Sequence, residues 1–223
     1  MSYIVENYKK VLEEIHSSKS TPSPILIAVS KKQTLESIRE AIQGGITIFG
    51  ENKIQEGIEK FSKLKDEGFD FELHHIGPLQ TGNLRKLFGL FSYTHGVTSE
   101  SSLKELLKEA LKRKQPIRYF LEANLTDESS KSGFNRNALV ETLKKISTFQ
   151  NEYCIFEGLM TMGPTNEDPT ITRNVFKDLN SIRKDFCPDS KCSMGMSGDY
   201  KIAIEEGSNF VRIGTLIFGK RSY

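Results

Sequence analysis

The chain has little of what would mark it for a membrane, a nucleic acid or an oxidising compartment. Its 31 basic and 29 acidic residues balance to a formal charge of +2, so no broad field of one sign draws it onto nucleic acid or anionic lipid. Long hydrophobic runs are missing. The longest clean apolar stretch near the N-terminus, Ile25 to Val29, is far too short to span a bilayer. The opening residues, MSYIVENYKKVLEE, carry acids and no apolar signal core, which argues against a secretory leader. Cysteine is scarce: Cys154, Cys187 and Cys192 form an odd set without CxxC spacing or a histidine pattern, and a reducing cytoplasm fits them best. No HExxH occurs, and the neighbours His74 and His75 point to opposite sides of a strand, so no metal centre is expected. Gly214–Lys220 matches the start of a P-loop, but Arg221 stands where Ser or Thr is required.

What is present is an ordinary globular composition, 37% hydrophobic and 27% charged, arranged in a β/α alternation. β-rich runs occur at Ile25–Ser30, Thr47–Asn52, Phe71–Gly77, Ser92–Val97, Ile117–Leu125, Ile155–Thr161, Cys192–Ser197 and Asn209–Phe218. Apolar residues at helical spacing lie between several of them: Leu35, Ile38 and Ile42; Leu103, Leu106 and Ala110; Leu139, Leu143 and Ile146; Val175, Leu179 and Ile182. Eight such strands in 223 residues suit a single (β/α)8 TIM barrel better than a doubly wound sheet, which would also bring a GxGxxG turn that is not found here. A helix from about Ile4 to His16 precedes the first strand, so residues 1–20 are expected to pack on the barrel within one domain, 1–223. Neither a long heptad pattern nor an oversized apolar helix face is visible, and a monomer is expected.

In a barrel of this kind the working residues sit where strands end and loops begin. Lys31 and Lys32 follow the apolar strand ILIAV. One of them facing the centre would be a partly desolvated amine, available as a nucleophile; the plain alternative is a lysine reaching out to solvent. Alternation does not choose between the two. Near the C-terminus, Ser197, Gly198, Gly214 and Thr215 are small residues whose backbone N–H groups could approach an anion, although Ser197 also reads as a helix cap and Gly214 as a packing glycine. Arg212, two residues before Gly214 on a strand, should project inward, where an arginine is costly unless paired.

The segments AVSKKQ, FGENKIQEG, HHIGPLQTGN, SKSGF, GLMTMGP and SMGMSGDYKIAIEEGSNFVRIGTLIFG, in that order, resemble the pyridoxal phosphate homeostasis family from about residue 25 onward. That family is similar to the N-terminal barrel of alanine racemase, a fold-type III pyridoxal phosphate (PLP) fold. The resemblance, not the spacing, selects Lys31 as the residue that holds PLP as a Schiff base. It also implies that Ser197, Gly214 and Thr215 hold the phosphate, with Met196 beside them, and that Arg212 faces the pyridine nitrogen. Asn52 and His75 would line the pocket. Lys131, in SKSG, matches a family lysine implicated in cofactor traffic, and its bland alternative is a solvated loop lysine.

An arginine at the ring nitrogen disfavours its protonation and makes the ring a poor electron sink. Racemases of this fold add a second acid/base from a further domain, for which the chain, ending at Tyr223 soon after the eighth strand, is expected to have no room. The expectation is therefore a non-enzymatic PLP carrier or buffer that hands the cofactor to apo-enzymes. A single-domain amino-acid racemase is the alternative.

Overall fold

A computed structural model of the chain describes residues 2–18, 22–126, 128 and 131–219. Eight parallel strands follow one another around a closed barrel: β1 (Ile25–Val29), β2 (Ile48–Glu51), β3 (Glu72–His75), β4 (Tyr93–Val97), β5 (Ile117–Ala123), β6 (Cys154–Thr161), β7 (Lys191–Ser193) and β8 (Phe210–Ile213). The ring shuts where β8 returns beside β1, with Ile25 opposite Phe210 and Ala28 opposite Ile213. This is the (β/α)8 barrel that the alternation predicts. Helices α2 (Leu35–Gln43), α3 (Ile54–Asp66), α4 (Glu100–Arg113), α5 (Arg136–Leu143), α6 (Pro169–Phe186), α7 (Tyr200–Glu205) and α8 (Thr215–Phe218) fill the connections. Between β3 and β4 there is only a 3-10 turn, Leu84–Lys86.

Local chemistry starts these helices where they start. Thr34, Ser99 and Asn135 each accept a backbone N–H three residues on, and Asp168 does the same ahead of Pro169 in the first turn of α6. Along the strands, period-two alternation divides the apolar residues between two cores. Leu26 and Ala28 of β1 face the helices and join the larger core. Ile27 points to the axis, where it meets Phe120, Met160 and Phe210.

The last two strands are shorter than the apolar runs suggest. The run Cys192–Ser197 stops as a strand at Ser193, because Gly195 takes a left-handed φ of 100° and turns the chain across the barrel mouth. The run Asn209–Phe218 holds two elements: β8 stops at Ile213, and after Gly214 the apolar TLIF winds into α8, with the Ile217 and Phe218 N–H groups both donating to the Gly214 carbonyl.

A further helix, α1 (Tyr3–His16), starts one residue earlier than expected on a Ser2 cap and packs under this region. Its Tyr3 hydroxyl donates to the Phe218 carbonyl at 3.0 Å, and Asn7 donates to the Ile217 carbonyl at 3.2 Å. Lys19 and Ser20, part of the expected packing segment, lie outside the described residues. Among the described residues no helix is long and apolar enough to cross a membrane.

The axial cluster is small, so each member fills space that nothing else can. Phe210 is almost fully buried against Ile27, Phe120 and Met160. Phe210→Ala should lower the unfolding free energy by about 3–5 kcal/mol, measured by urea denaturation. A loss below about 1 kcal/mol would mean that the barrel axis is loosely packed.

Candidate functional site

The C-terminal mouth of the barrel holds a cavity of about 230 Å3. Lys31, Asn52, Met196, Ser197, Arg212, Gly214 and Thr215 all line it. Ile76 and Met162 supply apolar walls, and Gln33, Glu167 and Gly198 stand at its edge.

Lys31 and Lys32 part company here. Lys31 is half-buried against the cavity, whereas Lys32 is exposed, takes a left-handed φ of 61° and is no part of the wall. A buried ionic cluster fixes that turn. The Ser30 hydroxyl donates to Glu51 Oε1 at 2.6 Å, and Lys60 Nζ bridges the same carboxylate oxygen at 2.9 Å and the Ser30 carbonyl at 3.0 Å. Lys60 also pairs with Glu56 at 2.7 Å, and Glu56 accepts the Lys32 N–H. Burial raises the Glu51 carboxyl above its usual range against the pull of Lys60. Glu51 was legible as a polar residue at a strand end, but its partners Glu56 and Lys60 were not singled out. Their signal was the four-residue step from Glu56 to Lys60 along a helix whose preceding strand ends on an acid.

Arg212 is 4% exposed and projects inward as expected. It donates to Ser193 Oγ at 2.6 Å and to the Thr161 carbonyl at 3.0 Å. Burial pulls its pKa down to about 10, opposed by the Asp199 and Glu122 carboxyls, so it remains a cation at neutral pH. Glu122 carries no sequence signal, because it sits mid-strand on β5, yet its carboxyl is strongly perturbed. Burial lifts it to about 7, Arg212 opposes the rise, and its Oε2 has no partner among the described residues.

The phosphate-class residues come together from two loops. Ser197 is not a helix cap, since α7 starts after Asp199. Gly214 does pack closely: a Cβ there would lie 3.1 Å from the Val29 carbonyl oxygen. Ser197 and Thr215 present hydroxyls at the mouth, and Gly198 and Thr215 are exposed there with backbone N–H groups free of protein acceptors among the described residues. A cationic amine, a fixed guanidinium, an apolar wall and a rim of hydroxyls and N–H groups suit a flat anionic aldehyde with a phosphate at one end.

His75 is a correction. It does not line the cavity; Ile76 does. Strand alternation turns His75 away from the axis, where it is buried, meets Thr94 Oγ1 at 3.0 Å and sets its ring edge-on to Phe91. Its ring donates to the Asn52 backbone carbonyl, and burial holds its pKa down to about 4, so it supports Asn52 as a neutral donor. Gly77 helps in the same way, since a Cβ there would lie 2.2 Å from the Asn52 carbonyl oxygen. Lys131 stands beside the site rather than in it. Its Nζ donates to the Gly163 carbonyl at 2.7 Å and pairs with Glu128 at 3.1 Å, in an adjoining cavity of about 240 Å3 that shares Met162, Glu167, Met196 and Gly198 with the first. Lys220 and Arg221 lie outside the described residues.

Known proteins carry the same barrel. The family model for the alanine racemase N-terminal domain matches residues 3–222. A pyridoxal phosphate homeostasis protein of Aquifex aeolicus is 33% identical over 228 residues, covering all of this chain and 97% of that one. The chain belongs to the pyridoxal phosphate homeostasis protein family. Among solved structures, the family member PipY of Synechococcus elongatus, with PLP bound, is 30% identical, covers 97% of this chain and 100% of its own, and superposes with a TM-score of 0.85. An alanine racemase of Clostridium difficile in complex with cycloserine, 14% identical, shares the fold alone, with a TM-score of 0.74 over 99% of this chain and 59% of its own.

Glu122 gives this site a pH signature. A carboxyl whose folded pKa is raised from 4.5 to about 7 contributes stability that is fully present below the lower value and is lost as pH rises through the upper one. Glu122→Gln, which cannot ionise, should therefore gain on the wild type by on the order of 2–3 kcal/mol between pH 5 and pH 8.5. Thermal unfolding of both proteins across that range checks the direction. A difference that is flat with pH would mean that Glu122 is ionised throughout.

Proposed function

We propose that the chain binds pyridoxal 5′-phosphate on Lys31 at the barrel mouth and acts in PLP homeostasis as an intracellular carrier or buffer, without robust catalysis. The single observation that carries this reading is the convergence of Lys31 and Arg212 with Ser197 and Thr215 in one cavity, in a chain whose relative PipY has been solved with PLP. Bound there, the cofactor supplies a reversible carbonyl for an amine to add to.

The chain's own residues do the rest. Lys31 is the nucleophile, and the Glu51–Lys60–Glu56 cluster fixes the turn that presents it. Ser197 and Thr215 hold the phosphate from the rim. Arg212, held by Ser193 and Thr161, keeps a positive charge at the ring nitrogen and so keeps a proton off it. Asn52 and Met196 complete the wall around the ring.

The racemase alternative asks for two acid/base groups, one on each face of a substrate. Besides Lys31 and Arg212, the cavity's titratable lining is Glu167, an exposed loop residue, and no tyrosine or histidine reaches it among the described residues. A mouth open to solvent lets a ligand leave, which suits delivery to apo-enzymes better than turnover. Exposed large apolar side chains such as Tyr3, Leu111 and Ile171 lie on three different helices, α1, α4 and α6, in keeping with a monomer built as one domain, 1–223, and placed by this reading in the cytoplasm.

The test is an absorbance spectrum of purified protein with added PLP, wild type beside Lys31→Ala. The wild type should show a visible band that borohydride fixes, and the variant should lose it. Adding L-alanine to the loaded wild type should produce D-alanine no faster than the variant does. Sustained turnover would make the chain an enzyme, and no band in the wild type would remove PLP binding altogether.

A further inference from the structure

The barrel axis, beside its small apolar cluster, contains a continuous polar chain. From Arg212 it runs to Ser193 Oγ at 2.6 Å, from Ser193 to His95 Nδ1 at 2.8 Å, from His95 Nε2 to His74 Nδ1 at 2.8 Å, and from His74 Nε2 to Glu72 Oε1 at 2.8 Å. Its first member lies at the C-terminal mouth. Its last, Glu72, lies at the opposite mouth, in the wall of a separate cavity of about 520 Å3 that also includes Tyr93 and Arg118. Both histidines are buried and locked by their neighbours: His74 stacks on Tyr93 with centroids 4.2 Å apart, and His95 stacks on Phe120 at 4.3 Å.

The direction of every proton in this chain follows from its two ends. Glu72, held below the usual carboxylate range by its bond to His74, is ionised and can only accept, so His74 donates from Nε2. Burial keeps His74 neutral, so its Nδ1 is bare and must accept from His95 Nε2. Burial keeps His95 neutral too, which leaves its Nδ1 to accept the Ser193 hydroxyl proton. With that proton committed, the Ser193 oxygen offers its lone pairs to the Arg212 guanidinium. One consistent set of tautomers satisfies every group, and it makes the five residues act as a unit.

We propose that His74 and His95 are positioning residues for Arg212: with Ser193 they form a one-way donor chain, anchored on Glu72 at the far mouth, that orients the guanidinium toward the bound ligand. The inference rests on the reading of Arg212 as the partner of the PLP ring. It assigns a task to residues outside the binding cavity, on β3, β4 and β7, and links the site to an ionised carboxylate at the other end of the barrel.

Two measurements test it. In the protein without cofactor, 15N-labelled at histidine, long-range proton–nitrogen spectra should show His74 and His95 neutral with the proton on Nε2. A proton on Nδ1 of His95, or a charged imidazole at neutral pH, would overturn the chain whatever the protein binds. In the second, His95→Phe keeps the stack on Phe120 but cuts the chain, and His95→Gln retains one donor and one acceptor. PLP affinity should fall about tenfold in His95→Phe, with a displaced absorbance band, while His95→Gln returns both to near the wild-type values. Equal affinity and an unshifted band in a folded His95→Phe protein would sink the proposal. If the wild type binds no PLP, the binding reading fails, and the histidine spectra still decide whether the chain exists.

Discussion

One buried guanidinium organises the mouth of this barrel. Arg212 is almost fully buried at the foot of the cavity, and a cation so placed survives only with acceptors and countercharge arranged around it. Ser193 and the Thr161 carbonyl take its hydrogen bonds, and Asp199 and Glu122 supply countercharge from two other segments. Those segments border the cavity, so satisfying the arginine also sets where β6, β7 and β8 end and how their loops lie. The Lys31 side follows the same rule on a smaller scale: the buried Glu51 carboxyl is tolerable because Ser30 and Lys60 meet it, and that contact shapes the turn bearing the amine.

Two cations of different character therefore face one cavity. The guanidinium is permanent and rigidly held. The lysine amine is a single rotatable group on a half-exposed turn, and it can exchange a proton and form a reversible bond. A ligand that is anionic at one end and electrophilic at the other would be gripped by position on one side and by chemistry on the other.

Much of this was legible in the sequence. Period-two and 3.6-residue patterns were enough for the barrel, since eight β-rich runs follow one another with apolar stripes at helical spacing in several of the connections. Arg212, Ser197, Gly214 and Thr215 could be picked out because they sit at or near strand ends, where barrels do their work, whereas Lys31 was separated from Lys32 only by the family resemblance. His75 misled because its neighbourhood in the chain, HIGPLQ, reaches the mouth while its own side chain faces the helices; the residue after it, Ile76, has the inward slot. The apolar run through TLIF concealed a helix behind Gly214, as apolar runs of that length fit either element. The connection between the axial histidines was invisible for a different reason. A histidine on a buried strand reads as a core residue until the partners 21 and 98 positions away are seen to share its protons.

The seam where β8 lies against β1 has a consequence for how the protein comes to be made. Lys31 follows the first strand and Arg212 lies on the last, so the cavity draws its two cations from opposite ends of the described chain and joins them by the pairing formed last in sequence order. Contacts of such long range are slow to form and cannot exist on a half-synthesised polypeptide. Translation thus acts as an interlock: the lysine and the arginine are brought to one cavity only when the ring shuts, and a nascent fragment that ends before β8 has no such cavity.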